Sequence, residues 1–393
     1  VTVPYHHPVF TLLLGACLLF CTGPSWAQNG DPSPGPEQGA RSDVPLRVGV
    51  AGLTHGHVGW VFGSAARGDV EITGIVEPDR EVARKYCEQY KFPLSRVYDT
   101  FEQLFAAGIP EAVAAFGPIR DHRAVVAACA PRGIHVMVEK PLAMSLEDAR
   151  EMAALARKHR IRLLTNYETT WYPTNHRAYE LLKRDTTLGS VRKIVVRDGH
   201  RGPKKIGVPP EFLGWLTDPG QNGAGALTDF GCYGANLITW LMEGQRPRSV
   251  TALTAQLQPE NNPRVDDEAI ILLRYPEAVG IIQASWNWPI GRKDLVAYGL
   301  YGAVYADNRH DLRLRMARGY DGFDETTETL PERQAPLNDP FLYLKAVVRG
   351  ELDPGPNDLS SLENNLVVME ILDAAMRSAA AGKTIELDPE PTN

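Results

Sequence analysis

Leu46-Arg-Val-Gly-Val-Ala51 is a short apolar run that breaks at Gly52, and a helical pattern follows from about His57 to Arg67. Val70 to Val76 is a second apolar run, ending at Glu77. Strand, turn, helix and strand within about 30 residues read as the opening of a parallel βαβ unit, whose long crossover is usually a helix. The alternation then repeats. A helix is capped at Asp99 or Thr100, and Ala112–Phe116 is a buried strand broken by Gly117-Pro118. His122–Ala130 is a helix, and the strand His135–Glu139 ends at Lys140-Pro141. Ser145 caps a long helix with an acidic first turn, reaching about His159, before a last strand at Arg162–Asn166. Such a chain folds into a doubly wound parallel sheet, with its ligand site at the carboxyl ends of the strands. Gly52, Glu77, Gly117 and Lys140 all fall at those ends.

The first turn reads Gly52-Leu-Thr54-His55-Gly56-His57. Thr54 stands where a dinucleotide fingerprint has its second Gly, and His57 where it has a small residue. The helix N-terminus beside this turn can still hold a pyrophosphate through its free amides. Glu77 is placed to accept hydrogen bonds from a ribose hydroxyl and would repel a 2′-phosphate. NAD is therefore the expected cofactor, with NADP the alternative that Arg80 keeps open. His55 and His57 could ligate a metal, but spacing offers no third ligand, and no metal is expected.

From Val191 the pattern changes. Arg192–Arg197, Glu268–Tyr275, Val279–Trp286 and Leu295–Tyr298 read as strands joined by short turns. They predict an α+β domain with an open, mostly antiparallel sheet, one face packed on a helix that begins near Asp229. Asp229 suits the N-cap of that helix. A helix from about Ser360 to Ala381, ending before Gly382, packs back on the body of the protein. The expected domains are 46–166, dinucleotide-binding, and 167–385, for substrate binding and oligomerisation.

The chain carries a net charge of −7 without a Lys/Arg run, which argues against a nucleic-acid partner. Phe10–Phe20 is an apolar core of secretory-leader length, and Ser25-Trp26-Ala27 suits cleavage. Residues 1–27 then form a leader and 28–45 a linker rich in Pro and Gly. The expectation is an exported, periplasmic protein with no membrane span after cleavage. There is no twin-Arg pair. Cys87, Cys129 and Cys232 remain, an odd and widely spaced set that suggests neither a disulfide framework nor a zinc pair.

Two short motifs carry the chemistry: Glu139-Lys140-Pro141, and Asp229-Phe-Gly231-Cys-Tyr233-Gly-Ala-Asn236. A Lys after a buried strand and a Tyr opening a helix can together move a proton. A phenol of pKa about 10 is a poor base unless a cation lowers it, and Lys140 could do that. Asp229 would keep the Lys protonated.

Together with His122 after Gly117-Pro118, Asp266-Asp267-Glu268 and Tyr298-Gly299-x-x-Gly302, these motifs resemble the glucose–fructose oxidoreductase / inositol dehydrogenase (Gfo/Idh/MocA) family over about 46–385. Tyr233, where many members carry His, looks like the branch of glucose–fructose oxidoreductase and dihydrodiol dehydrogenase. The resemblance implies that Lys140 holds the substrate hydroxyl and the nicotinamide region, that Tyr233 exchanges the proton, and that Asp229 orients the substrate or tunes the pair. It implies cofactor contacts from Gly52, Thr54, His55, His57, Glu77, Gly117, His122, Glu139 and Lys140. Asn166, Glu168, Tyr172 and His176 are the candidates for the substrate pocket. Glu168 stands where the branch often has Arg, which suits a neutral or cationic substrate group. Homo-oligomers through the open sheet face are also implied.

The implied activity is an exported NAD(P)-dependent oxidoreductase acting on a sugar, sugar derivative or glycoside. Free NAD is scarce outside the cytoplasm, so the cofactor should be tightly held and recycled. One alternative is a NAD-dependent glycoside hydrolase working by transient oxidation and elimination, with Glu168 or His176 as the added base. The other is a non-redox carbohydrate-binding or metal-dependent protein on the same scaffold, which Thr54 and an unfolded export route would favour.

Overall fold

The computed structural model describes residues 44–387. The expected leader (1–27) and nearly all of the linker (28–45) lie outside the described residues. Among the described residues, no helix is long and apolar enough to cross a membrane.

The first sheet has six strands: β1 (Leu46–Ala51), β2 (Val70–Val76), β3 (Val97–Tyr98), β4 (Ala112–Ala115), β5 (His135–Glu139) and β6 (Leu163–Asn166). Their order is β3-β2-β1-β4-β5-β6 and every pairing is parallel. Helices cover both faces, so β4 and β6 are buried at every position, as the continuous apolar runs require. Chain order reverses at β1 and β4, and the turns leaving these two strands meet. Gly52 has φ +76, and a Cβ there would lie 2.7 Å from the backbone of Gly117. Only glycine allows that approach. Thr100, not Asp99, caps the following helix through a bond to the Gln103 amide.

The second sheet has nine strands. They are β7 (Lys193–Gly199), β8 (Ser249–Ala255), β9 (Glu268–Arg274), β10 (Val279–Ser285), β11 (Arg292–Tyr298), β12 (Gly302–Ala306), β13 (Asp311–Arg318), β14 (Gly322–Thr329) and β15 (Ile385–Glu386). The order is β14-β13-β12-β11-β7-β10-β9-β8-β15, and only the central β7–β10 pair is parallel. Its inner face packs on the helix Gly231–Leu241, which is buried at every residue. Gly234 makes the contact close, since a Cβ there would lie 2.5 Å from Ile282. The helix Leu362–Ala381 ends at Gly382 in the left-handed region, as its sequence predicts.

One expectation fails here. Asp229 does not cap the helix Gly231–Leu241; it ends a separate short helix, Ala226–Asp229, and Phe230 takes the cap position. Its carboxylate has other partners, described next.

Candidate active site

Lys140 follows β5 and reaches across to the second half of the chain. Its Nζ donates to the Asp229 carbonyl at 2.9 Å and to the Asp229 carboxylate. The other carboxylate oxygen accepts from Trp286 Nε1 at 3.0 Å. Lys140 and Asp229 are almost wholly buried and Trp286 completely so. Burial opposes both charges, but each partner outweighs it for the other, so the Lys140 pKa rises and that of Asp229 falls. Both groups are ionised at neutral pH.

The ring of Tyr233 lies beside this pair, with Lys140 Nζ 5.2 Å from its centroid. A second ammonium, Lys293 Nζ on β11, lies 4.9 Å from the same centroid. Tyr167 packs edge-on to Tyr233 at 5.4 Å. The sequence reading had Lys140 lowering the Tyr233 pKa. The structure points the other way: burial, with the Glu168, Glu139 and Asp229 carboxylates near, pushes the phenol well above its ordinary range. Asp229 already neutralises the Lys140 charge. Tyr233 is therefore a phenol in the resting chain, able to donate a proton to an oxyanion.

Glu139, one residue earlier, is held by its neighbours. His57 Nδ1 lies 3.0 Å from one carboxylate oxygen, and Asn166 Nδ2 donates to the other at 2.7 Å. Trp171 Nε1 in turn donates to Asn166 Oδ1 at 3.1 Å. Asn166 is thus a support for Glu139 rather than a free pocket residue. His55 lies 3.8 Å from Glu139 and accepts the His57 amide at 3.1 Å. Burial pushes its pKa down to about 3, so the ring is neutral.

Glu168 bonds both Lys293 and the Tyr172 hydroxyl, so its charge is balanced at the site. His176 is not brought there. Its Nε2 contacts the Thr170 carbonyl and Arg333, and its ring packs on Trp240. Helical spacing after Tyr172 turned it away from the cleft.

Lys293 and Asp198 were missed in the sequence. Asp198 on β7 pairs in register with Lys293 on β11, but β7 and β11 are far apart in the chain, and their adjacency is invisible without the sheet order. Asp198 is 1% exposed, and neither carboxylate oxygen has a partner among the described residues. Burial, with Asp294 and Glu168 near, raises its pKa well above the usual carboxylate range despite Lys293. The folded chain thus holds a proton that the unfolded chain releases above about pH 4. Stability from this group is complete below that pH and is lost as pH rises toward the folded pKa. Asp198→Asn, which has no proton to lose on unfolding, is expected to flatten the decline in stability above about pH 4. Calorimetric melting across pH checks this; an unchanged slope would contradict it.

A cavity of about 770 Å³ opens at the carboxyl ends of β1, β2 and β4. Gly52, Thr54, Glu77, Gly117, His122 and Trp215 are among its walls. Its size is within the ~300–1,000 Å³ typical of cofactor sites. Glu77 at the end of β2 accepts from the Leu53 and Asp79 amides at 3.1 and 3.0 Å, which fixes its carboxylate against the cavity. Thr54 accepts from Trp215 Nε1 at 3.0 Å, tying the turn to the second half of the chain. His122 Nδ1 contacts the Leu142 carbonyl at 3.2 Å, and its Nε2 is buried without a partner. Arg80 is engaged with Asp99 at 2.6 Å and with the Val97 carbonyl. The donors and the acid fit a dinucleotide with free ribose hydroxyls. A smaller hollow of about 390 Å³ lies on another side, between Trp60, Glu168, Trp171 and Arg309.

Residues 46–167 match the family model described as "Oxidoreductase family, NAD-binding Rossmann fold", and 176–305 match the GFO/IDH/MocA C-terminal domain. A trans-1,2-dihydrobenzene-1,2-diol dehydrogenase from Xenopus tropicalis is 29% identical over 191 residues, 47% of this chain and 52% of that protein. The match thus spans about half the length of that relative. Among solved structures, GenD2 from gentamicin A biosynthesis, in complex with NAD, is 25% identical with a TM-score of 0.71, covering 89% of this chain and 99% of that one. An aldose-aldose oxidoreductase from Caulobacter crescentus, complexed with glycerol, shares the fold at 22% identity and a TM-score of 0.72, covering 87% and 100%.

Proposed function

Since the chain belongs to the Gfo/Idh/MocA oxidoreductase family and carries its NAD-binding Rossmann domain, we propose that it oxidises and reduces a secondary hydroxyl of a sugar, sugar derivative or glycoside. The observation that carries this reading is the buried Lys140–Asp229 pair beside the Tyr233 ring. An ammonium fixed by a carboxylate can hold a substrate oxygen in one position and favour its negative charge. Tyr233 donates the proton as that oxygen becomes a hydroxyl, and takes it back in the reverse direction. When bound, the dinucleotide supplies the hydride acceptor and donor. Glu77 would hold the ribose, and the turns at Gly52 and Gly117 the phosphates. The Glu168–Lys293 pair leaves little net charge nearby, which favours a neutral polyhydroxylated substrate over an acid.

Glu77 with Arg80 already paired supports NAD over NADP. Titration of Trp215 fluorescence with each dinucleotide is expected to give at least about tenfold tighter NAD binding, roughly 1.4 kcal/mol. Equal affinities would refute the role given to Glu77.

Our reading includes export, supported by the apolar stretch Phe10–Phe20, and a cofactor held through turnover. Mass spectrometry of the denatured, purified protein is the direct test. Near one equivalent of NAD(H) supports the reading; no release and no binding at millimolar concentration refutes it. A second reading, glycoside cleavage without net redox change, is favoured by Glu168, an ionised carboxylate beside Lys293 and Tyr172 that could serve as the added base. The products separate the two: an oxidised sugar, or a freed aglycone with NAD unchanged.

Self-association is part of the proposal. The outer face of β8, β9 and β10 exposes Leu253, Ile270, Leu272 and Val279. Sedimentation equilibrium should show a dimer or larger species, and Leu272→Glu should shift it toward monomer.

A further inference from the structure

The sequence spacing offered two histidines and no third donor. The fold brings one. We propose that His55, His57 and Glu139 form a binding site for a divalent transition metal, with zinc the ion best suited to the donor set. This inference stands apart from the redox reading and does not rest on it.

The donor atoms of the three residues all lie within 4.8 Å of one another, the only such cluster among the described residues. Two imidazoles and one carboxylate are the donors of an open zinc site, in which three protein ligands leave a fourth position free. With metal–ligand bonds of about 2.1 Å, tetrahedral ligands stand about 3.4 Å apart. The observed separations straddle that value, at 3.0 Å from His57 Nδ1 to Glu139 and 3.8 Å from His55 Nδ1 to Glu139. Shifts of a few tenths of an ångström would close both, whereas the two imidazole donors, within 4.8 Å of each other, would draw together by up to about an ångström more.

The surroundings suit an ion. Asn166 holds the second Glu139 oxygen, and Trp171 holds Asn166, the kind of outer support that fixes ligand orientation. The His57 ring stacks flat on Trp60, with centroids 4.0 Å apart and planes 9° apart. His55 and Glu139 are buried, whereas the His57 side chain is 18% exposed, so the cluster is open on one side. None of the three lines the large cavity. None of the three lines the smaller hollow either, though Trp60, stacked on His57, is one of its walls; the partly exposed His57 side leaves the fourth position to water. In the metal-free chain a proton bridges His57 Nδ1 and Glu139. Metal binding takes its place, and the proton moves to Nε2 of the same ring; His55 Nδ1 exchanges the hydrogen bond it accepts from the His57 amide for the ion.

The test uses the full chain, stripped with a chelator and dialysed. Zinc is titrated by calorimetry and cobalt(II) by visible absorption. One equivalent should bind with micromolar or tighter affinity, with the intense visible bands of four-coordinate cobalt. His57→Gln and Glu139→Gln, each checked for folding by circular dichroism, should weaken binding at least about tenfold. Glu139 is buried and its variant could misfold; His57 is partly exposed, so its variant keeps the test decisive. Absence of stoichiometric binding, or unchanged affinity in the folded His57→Gln variant, overturns the proposal. NAD affinity of the metal-free chain is measured in parallel, so failure of the metal site and failure of the dinucleotide reading give different results.

Discussion

Lys140→Met is expected to lower kcat/KM by about 10³-fold, roughly 4 kcal/mol of transition-state stabilisation, while leaving NAD affinity within about threefold. The ammonium is the group placed to stabilise charge on the substrate oxygen, and among the described residues no other cation touches Asp229 within hydrogen-bond distance. The variant also strands a carboxylate that is 5% exposed. Breaking one side of a buried pair costs about 3–5 kcal/mol, so the melting temperature should fall as well. Lys140→Met combined with Asp229→Asn separates the effects. It should recover most of the melting temperature and none of the activity. Recovery of activity in the double variant would remove Lys140 from the chemistry.

Tyr233→Phe is expected to lower kcat by about 10²–10³-fold with KM nearly unchanged, because the phenol acts on the proton and not on binding. The pH profile carries the stronger test. Burial keeps Tyr233 protonated at neutral pH. Oxidation needs the phenolate, whose fraction grows about tenfold per pH unit below the pKa. The oxidative kcat/KM should therefore climb through about pH 10 without a plateau, and Tyr233→Phe should flatten the climb. A variant that keeps the wild-type slope would assign the proton to another group.

The first half of the fold was legible because each of its elements is local. A buried parallel strand is a continuous apolar run, and Gly52, Gly117 and Pro141 mark where the runs stop. The second half was only partly legible. β9 and β10 alternate cleanly, but β14 reads Gly-Phe-Asp-Glu-Thr-Thr-Glu-Thr and is exposed along almost its whole length, so it has no apolar face to announce it. The central parallel pairing of β7 with β10 depends on a crossover that no local pattern encodes. The site divides the same way. Lys140, Asp229 and Tyr233 sit in recognisable motifs, and the structure brings them together. Lys293 and Asp198 became neighbours only through strand order. Asp229 looked like a helix cap because it precedes a helix, yet a buried ammonium competes for its carboxylate more strongly than a backbone amide does. His176 followed pocket residues in sequence, but a helix turns successive side chains in different directions.

The Lys140–Asp229 bond joins the end of the first sheet to the inner face of the second, with Trp286 behind it. A hinge between the two halves would have to pull an ammonium from a carboxylate in a place with almost no water. That cost, about 3–5 kcal/mol for breaking one side of a buried pair, opposes opening at this bond in each turnover. A route to the site that leaves this bond intact would start from a side opening, the cavity at Glu77 or the hollow at Trp60, rather than from a clamshell motion.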